Sequence, residues 1–155
     1  MHVVIMGCGR VGSTLAGSLE GRGHSVAVID NEADAFRRLG VDFTGTTVTG
    51  MGFDRNVLVM AGIERADAFA AYAGVAPIEV SSGDKSRHRL SRSGDRQLNS
   101  AIHLVAVTQV RMCNSAGRHY FDAKLAEGKT RNEAMRCLKR RLANHIWRMM
   151  SAEER

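Results

Sequence analysis

The pattern of apolar and polar positions divides the chain near residue 70. Before it, short apolar runs alternate with segments of helical periodicity, as in the run at 2–6 and the amphipathic stretch through Val11, Leu15 and Leu19. Continuous apolar runs of this length are typical of strands buried on both faces. The pattern predicts an α/β fold with a parallel sheet, with strands at 2–6, 25–29, 42–48 and 66–71 and helices after the first three strands, the later two at 32–39 and 54–62.

After residue 71 the alternation stops and helical periodicity dominates. Residues 72–83, which contain the only proline, predict an irregular connection, and residues 84–94 predict a polar basic loop. Asp95 is a predicted N-cap for a helix whose apolar positions are Leu98, Ile102, Val105 and Gln109 or Met112. A short helix at 118–126 follows, and the final helix is predicted to bury Ala134, Leu138, Leu142, Ile146 and Met149, with Trp147 as a core anchor.

The first turn of the chain carries a glycine pattern with a specific chemistry. Gly7, Gly9 and Gly12 form GxGxxG between the first strand and the first helix. The first glycine permits a tight turn, the second lets backbone approach a pyrophosphate, and the third lets helix and strand pack closely. Free N–H groups at the helix N-terminus then face the phosphate. The pattern predicts a Rossmann-like dinucleotide site, although a glycine turn that only closes the helix onto the sheet has the same spacing.

Asp30 stands at the end of the second predicted strand, where an acidic side chain accepts hydrogen bonds from ribose hydroxyls. A carboxylate there favours an unphosphorylated ribose, and therefore NAD(H) over NADP(H). Arg10, inside the glycine loop, is either a phosphate ligand or a solvated side chain.

The first part of the chain resembles a known family. The runs HVVIMGCGRVGSTLAGSLEGRGHSVAVID, RRLG and VLVMAGIERADAFAA are similar to the N-terminal NAD-binding (RCK or KTN) domain of TrkA-type regulators of potassium uptake, over residues 1–71. The resemblance implies a cytosolic NAD(H)-binding regulator attached to a membrane potassium transporter, without hydride chemistry. It places ligand contacts at Gly7, Gly9, Arg10, Val11, Gly12 and Asp30, with Thr49 as a weaker candidate. The Thr49-Gly50-Met51-Gly52 turn lacks the acidic residue of the family.

Charge separates the two parts as well. Residues 1–70 carry six basic and eight acidic side chains, whereas residues 71–155 carry sixteen basic and eight acidic ones. A basic half beside a mildly acidic half suggests that the second part contacts a polyanion. The candidate nucleic-acid contacts are Lys85, Arg87, Arg89 and Arg92 in the predicted loop, with Arg96, Lys139, Arg140 and Arg141. A solvated basic surface remains the alternative.

The second part resembles a different family. The motifs APIE, SSG, SGDRQLN, LAEGKT and CLKRRLA are similar to the C-terminal domain of RuvC-like DEDD insertion-sequence transposases, the RNA-guided recombinase type, over residues 69–152. The resemblance implies a nucleophilic serine in the SSG segment, at Ser81 or Ser82, with Ser81 favoured. It also implies that magnesium acts only if a separate DEDD domain supplies the metal ligands, so that this chain on its own is not expected to be a complete enzyme.

We therefore expect a hybrid or truncated protein. Residues 1–71 would form a partial Rossmann-like sheet domain, and residues 72–155 would form a basic, mainly helical domain with residual binding to DNA or RNA, linked to DNA transposition. The Ala66–Ala71 stretch is compatible with both families, so the junction between the two segments is expected there. The alternative function is an NAD(H)-responsive cytosolic regulator of potassium transport.

Three further expectations concern metals, location and assembly. Cys8, Cys113 and Cys137 show no metal-ligand spacing, and their odd number favours reduced thiols. The N-terminal apolar run is too short for a signal sequence, and no run reaches the length of a membrane span, which predicts a cytoplasmic protein without membrane insertion. The exposed edges of a partial sheet predict marginal stability or homo-oligomerisation.

Overall fold

The structure is a computed structural model that describes residues 1–82, 85–89 and 94–152, with the backbone alone at 79–82 and 85–89. It divides into two compact units, which we call the sheet unit (Met1–Glu64) and the helical unit (Arg65–Arg155). The fold class predicted from the sequence is confirmed, because a small parallel sheet is followed by mainly helical segments.

The sheet unit is built on three parallel strands. β1 (His2–Met6) and β3 (Thr46–Thr49) flank β2 (Ser25–Asp30), and α1 (Arg10–Glu20) connects the first two strands. A 3-10 helix (Ala33–Arg38) and α2 (Arg55–Met60) complete this unit. Because β2 is paired on both sides, its residues 26–29 are all buried, as the continuous apolar run predicted.

Of the three residues that the apolar periodicity of α1 suggested as buried, only Leu19 packs against the core, where it is half-buried. Ala16 is buried, while Val11 is 81% exposed and Leu15 is also exposed. The close contact is made by Gly12, where an added Cβ would lie 1.9 Å from the carbonyl oxygen of Gly7. Gly12 and Ala16 therefore form the packed face of α1 together with Leu19, and the third glycine of the motif has the packing role that was predicted for it.

The described residues of the helical unit form four helices and a hairpin. The helices are α3 (Ala66–Tyr72), α4 (Arg96–Arg111), α5 (Ala116–Ala126) and α6 (Arg131–Ala152). Strands β4 (Ile78–Ser82) and β5 (Lys85–Arg89) form an antiparallel hairpin between α3 and α4. The core cluster at the centre of the three long helices contains Ala106, Val110, Phe121, Ala134 and Leu138.

Three predictions about the middle of the chain were wrong. Residues 66–71 form the helix α3 and not a fourth strand, because this alanine-rich segment buries Phe69 and Ala70 and places the Phe69 ring 5.5 Å from the Trp147 ring of α6. Residues 78–82 form a strand within the predicted connection, and residues 85–89 form a strand within the predicted loop. Cross-strand pairing overrides the weak local preference of this polar sequence.

The helix caps were predicted more successfully. The Asp95 side chain accepts a hydrogen bond from the Leu98 backbone N–H at the start of α4. At the start of α6, the Thr130 N–H donates to the Glu133 carboxylate at 2.9 Å, and the Glu133 N–H donates back to the Thr130 hydroxyl at 3.4 Å. The first bond confirms the predicted cap of α4, and the reciprocal pair forms a capping box at the start of α6.

Candidate functional sites

The predicted dinucleotide ligands come together at the carboxyl end of the small sheet. Gly7 has a φ of +92°, which suits the tight turn that leaves β1. Gly9 is the N-cap of α1, and a Cβ added there would meet no atom within 4 Å. The space that a side chain would fill at Gly9 is therefore open, as a phosphate cradle requires. Arg10 and Val11, both exposed, follow in the first turn of α1.

Asp30 connects this loop to the end of β2. One carboxylate oxygen accepts the Cys8 backbone N–H at 2.6 Å, and the other accepts the Glu32 backbone N–H at 2.9 Å. These hydrogen bonds, the one from Glu32 first, lower the pKa of the Asp30 carboxyl. Each ionised oxygen retains a second acceptor direction, so the side chain can still receive a ribose hydroxyl. Thr49 pairs with Asp30 in the sheet register and is exposed beside it.

A cavity of about 530 Å³ lies between the glycine loop and the 3-10 helix, and Gly9, Arg10 and Asp30 line it. Arg38 lines it too, although sequence reasoning did not select this residue. Arg38 belongs to the RRLG run, which the sequence marks only as part of a family resemblance, and its charge is close enough to Asp30 to help lower the pKa of that carboxyl. Cys8 is buried under the loop, and burial first, followed by the charge of Asp30, raises the pKa of its thiol.

The predicted serine lies in the hairpin of the helical unit. Ser81 and Ser82 belong to β4, where Ser81 is paired with Ser86 and Ser82 with Lys85. Lys85, Arg87 and Arg89 follow one another along β5. The hairpin therefore aligns the serine strand with the basic strand. Arg92 lies outside the described residues, and Arg96 is exposed in the first turn of α4.

The base of this hairpin is fixed by two elements that flank it. The Asp95 N–H donates to the Tyr72 carbonyl at 2.8 Å, so that the chain leaving α3 meets the chain entering α4. Gly94 has a φ of +106°, and a Cβ there would lie 2.5 Å from the same carbonyl oxygen. The Asn99 amide nitrogen donates to the carbonyls of Ala73 and Gly74 at 2.9 and 3.1 Å. Sequence reasoning missed Asn99 because its partners lie 25 or more positions away.

The basic residues of α6 have three different environments. Lys139 was predicted on an exposed basic face, but it is only 8% exposed and its ammonium donates to the Asn99 side-chain oxygen at 2.8 Å. Arg140 forms an ion pair with Asp67 of α3. Arg141 is exposed and lies 4.6 Å from the centre of the Tyr120 ring. Of these three candidate contacts, helix packing encloses Lys139 and leaves Arg141 exposed.

The described part of the chain has neither a metal-ligand cluster nor a helix suited to cross a membrane. No group of three or more His, Cys, Asp or Glu side chains among those residues is arranged to hold a metal ion. None of the helices within the described ranges combines the length and the apolar character needed to cross a membrane.

Comparison with known proteins shows two different resemblances. The model of the Transposase IS116/IS110/IS902 family matches residues 47–122. The chain is 37% identical over 92 residues, or 59% of its length, to the 42 kDa protein of insertion element IS900 from Mycobacterium paratuberculosis, of which it covers 23%.

The other relatives are potassium uptake proteins. The chain is 60% identical over 86 residues to the Trk system potassium uptake protein TrkA of Streptomyces coelicolor, which is 56% of the chain and 35% of that protein. It is 40% identical over 74 residues to the TrkA homolog of Pyrococcus abyssi, which is 48% of the chain and 33% of the homolog. The chain thus spans about a third of the length of these relatives. Both resemblances predicted from the sequence are confirmed, and the chain combines a segment similar to TrkA potassium uptake proteins with a segment similar to IS116/IS110/IS902 transposases.

Proposed function

We propose that this chain is a hybrid protein in which a TrkA-like nucleotide-binding segment precedes a transposase-like segment that binds DNA or RNA. The proposal is supported by two separate compact units and by the contrast in charge between the two parts of the sequence. The helical unit would retain the nucleic-acid affinity used in transposition. Phosphoryl transfer by Ser81 or Ser82 would additionally need a metal-binding DEDD domain, because a magnesium ion stabilises the charge that develops on the phosphate.

One observation carries this proposal most directly. The exposed guanidinium groups of α6 line a cleft that also includes Gly74–Pro77, the residues that lead into the serine hairpin. Cations placed along one helix suit the regularly spaced charges of a nucleic-acid backbone, whatever its sequence. Cations in this position would hold a nucleic-acid strand next to the hairpin.

Salt-dependent binding to oligonucleotides tests this function in the full chain. The variant Arg141→Gln/Arg148→Gln removes two exposed cations of the cleft. We expect it to bind a labelled oligonucleotide more weakly and to lower the slope of log affinity against log salt by about two, since each phosphate contact contributes about one. Arg22→Gln/Arg37→Gln, which removes two exposed arginines of the sheet unit, is the matched control and should bind like the parent. Equal affinity for all three proteins, or no binding by the parent, would contradict the proposal.

A second function, NAD(H) binding by the sheet unit, is favoured by the contact between Asp30 and the glycine loop. The carboxylate holds the Cys8 amide and lies beside the open space at Gly9. In this alternative the chain is an NAD(H)-responsive cytosolic regulator of potassium transport, with a membrane transporter subunit as its partner. Homo-oligomerisation through the open sheet edges would accompany either function.

The nucleotide site can be tested with glycine variants. Gly9→Val fills the cradle without an internal clash, and Gly17→Val, in the same helix but outside the cradle, is its control. We expect NADH to raise the melting temperature of the parent and of Gly17→Val but not of Gly9→Val, because a side chain at Gly9 occupies the space of the pyrophosphate. An equal shift in all three proteins would exclude this site.

A further inference from the structure

A cleft of about 980 Å³ lies within the helical unit, between the Gly74–Pro77 segment, Tyr120 of α5 and the middle of α6. We propose that this cleft is a phosphodiester site in which the buried ammonium group of Lys139 is the central ligand of a nucleic-acid phosphate. The inference rests on the proposed function, since it assigns one specific anchoring residue to the nucleic-acid contact.

The surroundings of Lys139 suit a bound anion, because its ammonium has no carboxylate partner in the described part of the helical unit. Its ammonium has one described hydrogen bond, to the Asn99 oxygen, and the Asn99 amide is fixed in that orientation by the carbonyls of Ala73 and Gly74. No ion pair between Lys139 and a carboxylate is found in the described part of the helical unit. Burial lowers the pKa of the Lys139 ammonium. A buried cation without a counter-charge is costly, and a bound phosphate would supply that charge.

The rim of the cleft has the same polarity. Its charged lining comprises six cations and two carboxylates, namely Lys129, Arg136, Lys139, Arg140, Arg141 and Arg148 with Glu127 and Glu133. Glu127 contacts the ammonium groups of Lys124 and Lys129 at 2.6 and 3.8 Å. Glu133 contacts Thr130 at the start of α6 and the Arg136 guanidinium at 4.0 Å, so the lining keeps a positive balance. Arg141, which lies against the Tyr120 ring, remains exposed. The positive charge of the cleft therefore attracts a polyanion, and one of its phosphates can contact the buried Lys139 ammonium.

The cleft lies beside the segment that leads into the serine hairpin. Gly74–Pro77 forms one side of it and leads directly into β4, which carries Ser81 and Ser82. The same segment is fixed to α4 by the hydrogen bond between Asp95 and Tyr72 and by the Asn99 amide. A phosphate on Lys139 would consequently lie beside the base of the serine hairpin, because Lys139 donates to Asn99, whose amide orders that base.

The binding test compares two full-chain variants. Lys139→Met removes the buried charge while keeping a long apolar stem, and Arg111→Met removes an exposed charge at the end of α4, outside the cleft. With a fluorescent single-stranded oligonucleotide and a salt series, we expect Lys139→Met to bind about tenfold more weakly, with a salt slope lower by about one. Arg111→Met should match the parent. If the parent does not bind, the proposed function fails; if the parent binds and Lys139→Met binds equally, the Lys139 site is wrong while the proposed function stands.

A second measurement does not depend on the folding of a variant. In the parent protein with 13C-labelled lysine, inorganic phosphate should shift the side-chain resonance of Lys139 and raise the pKa of its ammonium, and an oligonucleotide should do the same at lower concentration. If neither probe shifts the Lys139 resonance, the proposal is overturned. A response to inorganic phosphate without a response to the oligonucleotide would overturn the nucleic-acid assignment and would indicate a site for a free phosphate compound.

Discussion

Individual residues show what a local pattern can and cannot specify. The glycine spacing correctly predicted the packing role of Gly12 and the position of Asp30, because both depend on neighbours within one strand–helix–strand segment. It did not predict that Asp30 would accept the Cys8 N–H, since that bond depends on how the loop folds back over β2. Likewise, the burial of Lys139 depends on Asn99, which is 40 positions away in sequence.

Asp30 should make the stability of the sheet unit depend on pH. Its carboxyl pKa is lowered in the folded protein, so it contributes stability above the ordinary carboxyl pKa, and that contribution is lost as pH falls through the lowered value. We expect Asp30→Asn to reduce the free energy of unfolding by about 1 kcal/mol at pH 7 and to have little effect near pH 2. Urea unfolding at both pH values measures this, and a constant difference would contradict it.

Two glycines of α1 should respond to alanine with opposite signs. A Cβ at Gly12 would lie 1.9 Å from the Gly7 carbonyl oxygen, so Gly12→Ala must displace backbone and should cost about 2 kcal/mol. A Cβ at Gly17 meets no atom within 4 Å, so Gly17→Ala should stabilise the helix by about 0.5 kcal/mol. Hydrogen exchange of the α1 and β1 amides measures both effects, and similar exchange in the two variants would refute the packing role of Gly12.

At the scale of elements, strong periodicity and caps were predicted well, and segments that depend on distant partners were not. The final helix begins after its capping box and buries Leu138 and Trp147 as expected. Its predicted apolar stripe was wrong at Met149, which is 53% exposed. The segment α3 was predicted as a strand, because no local signal shows that Phe69 packs against Trp147, 78 positions later.

The contact between α3 and α6 should dominate the stability of the helical unit. Trp147→Ala removes a buried ring that lies 5.5 Å from the Phe69 ring, and we expect a loss of about 3–5 kcal/mol in the free energy of unfolding. Met149→Ala, on the exposed side of the same helix, should cost less than about 0.5 kcal/mol. Denaturation followed by the helical circular dichroism signal compares them, and equal midpoints would show that α3 does not pack on α6.

For the whole molecule, the two resemblances and the two compact units each divide the chain in two, but at different positions. The sequence placed the change near residue 71, whereas the units meet at Glu64 and Arg65 and the family match begins at residue 47. The matched lengths of the TrkA and IS900 relatives together exceed the chain, so the two resemblances share positions. Because some positions belong to both resemblances, the sequence does not define one boundary. The packing of α3 on α6 nevertheless assigns Ala66–Tyr72 to the helical unit.

The central claim is that two ligand-binding segments of different origin act in one chain. Hydrogen exchange of the full chain, followed by mass spectrometry with NADH alone and with an oligonucleotide alone, tests it most directly. We predict that NADH slows exchange in the glycine loop and the start of α1, and that the oligonucleotide slows exchange at Gly74–Pro77 and in the middle of α6. Protection of neither region, or protection of the glycine loop by the oligonucleotide and of α6 by NADH, would contradict the account.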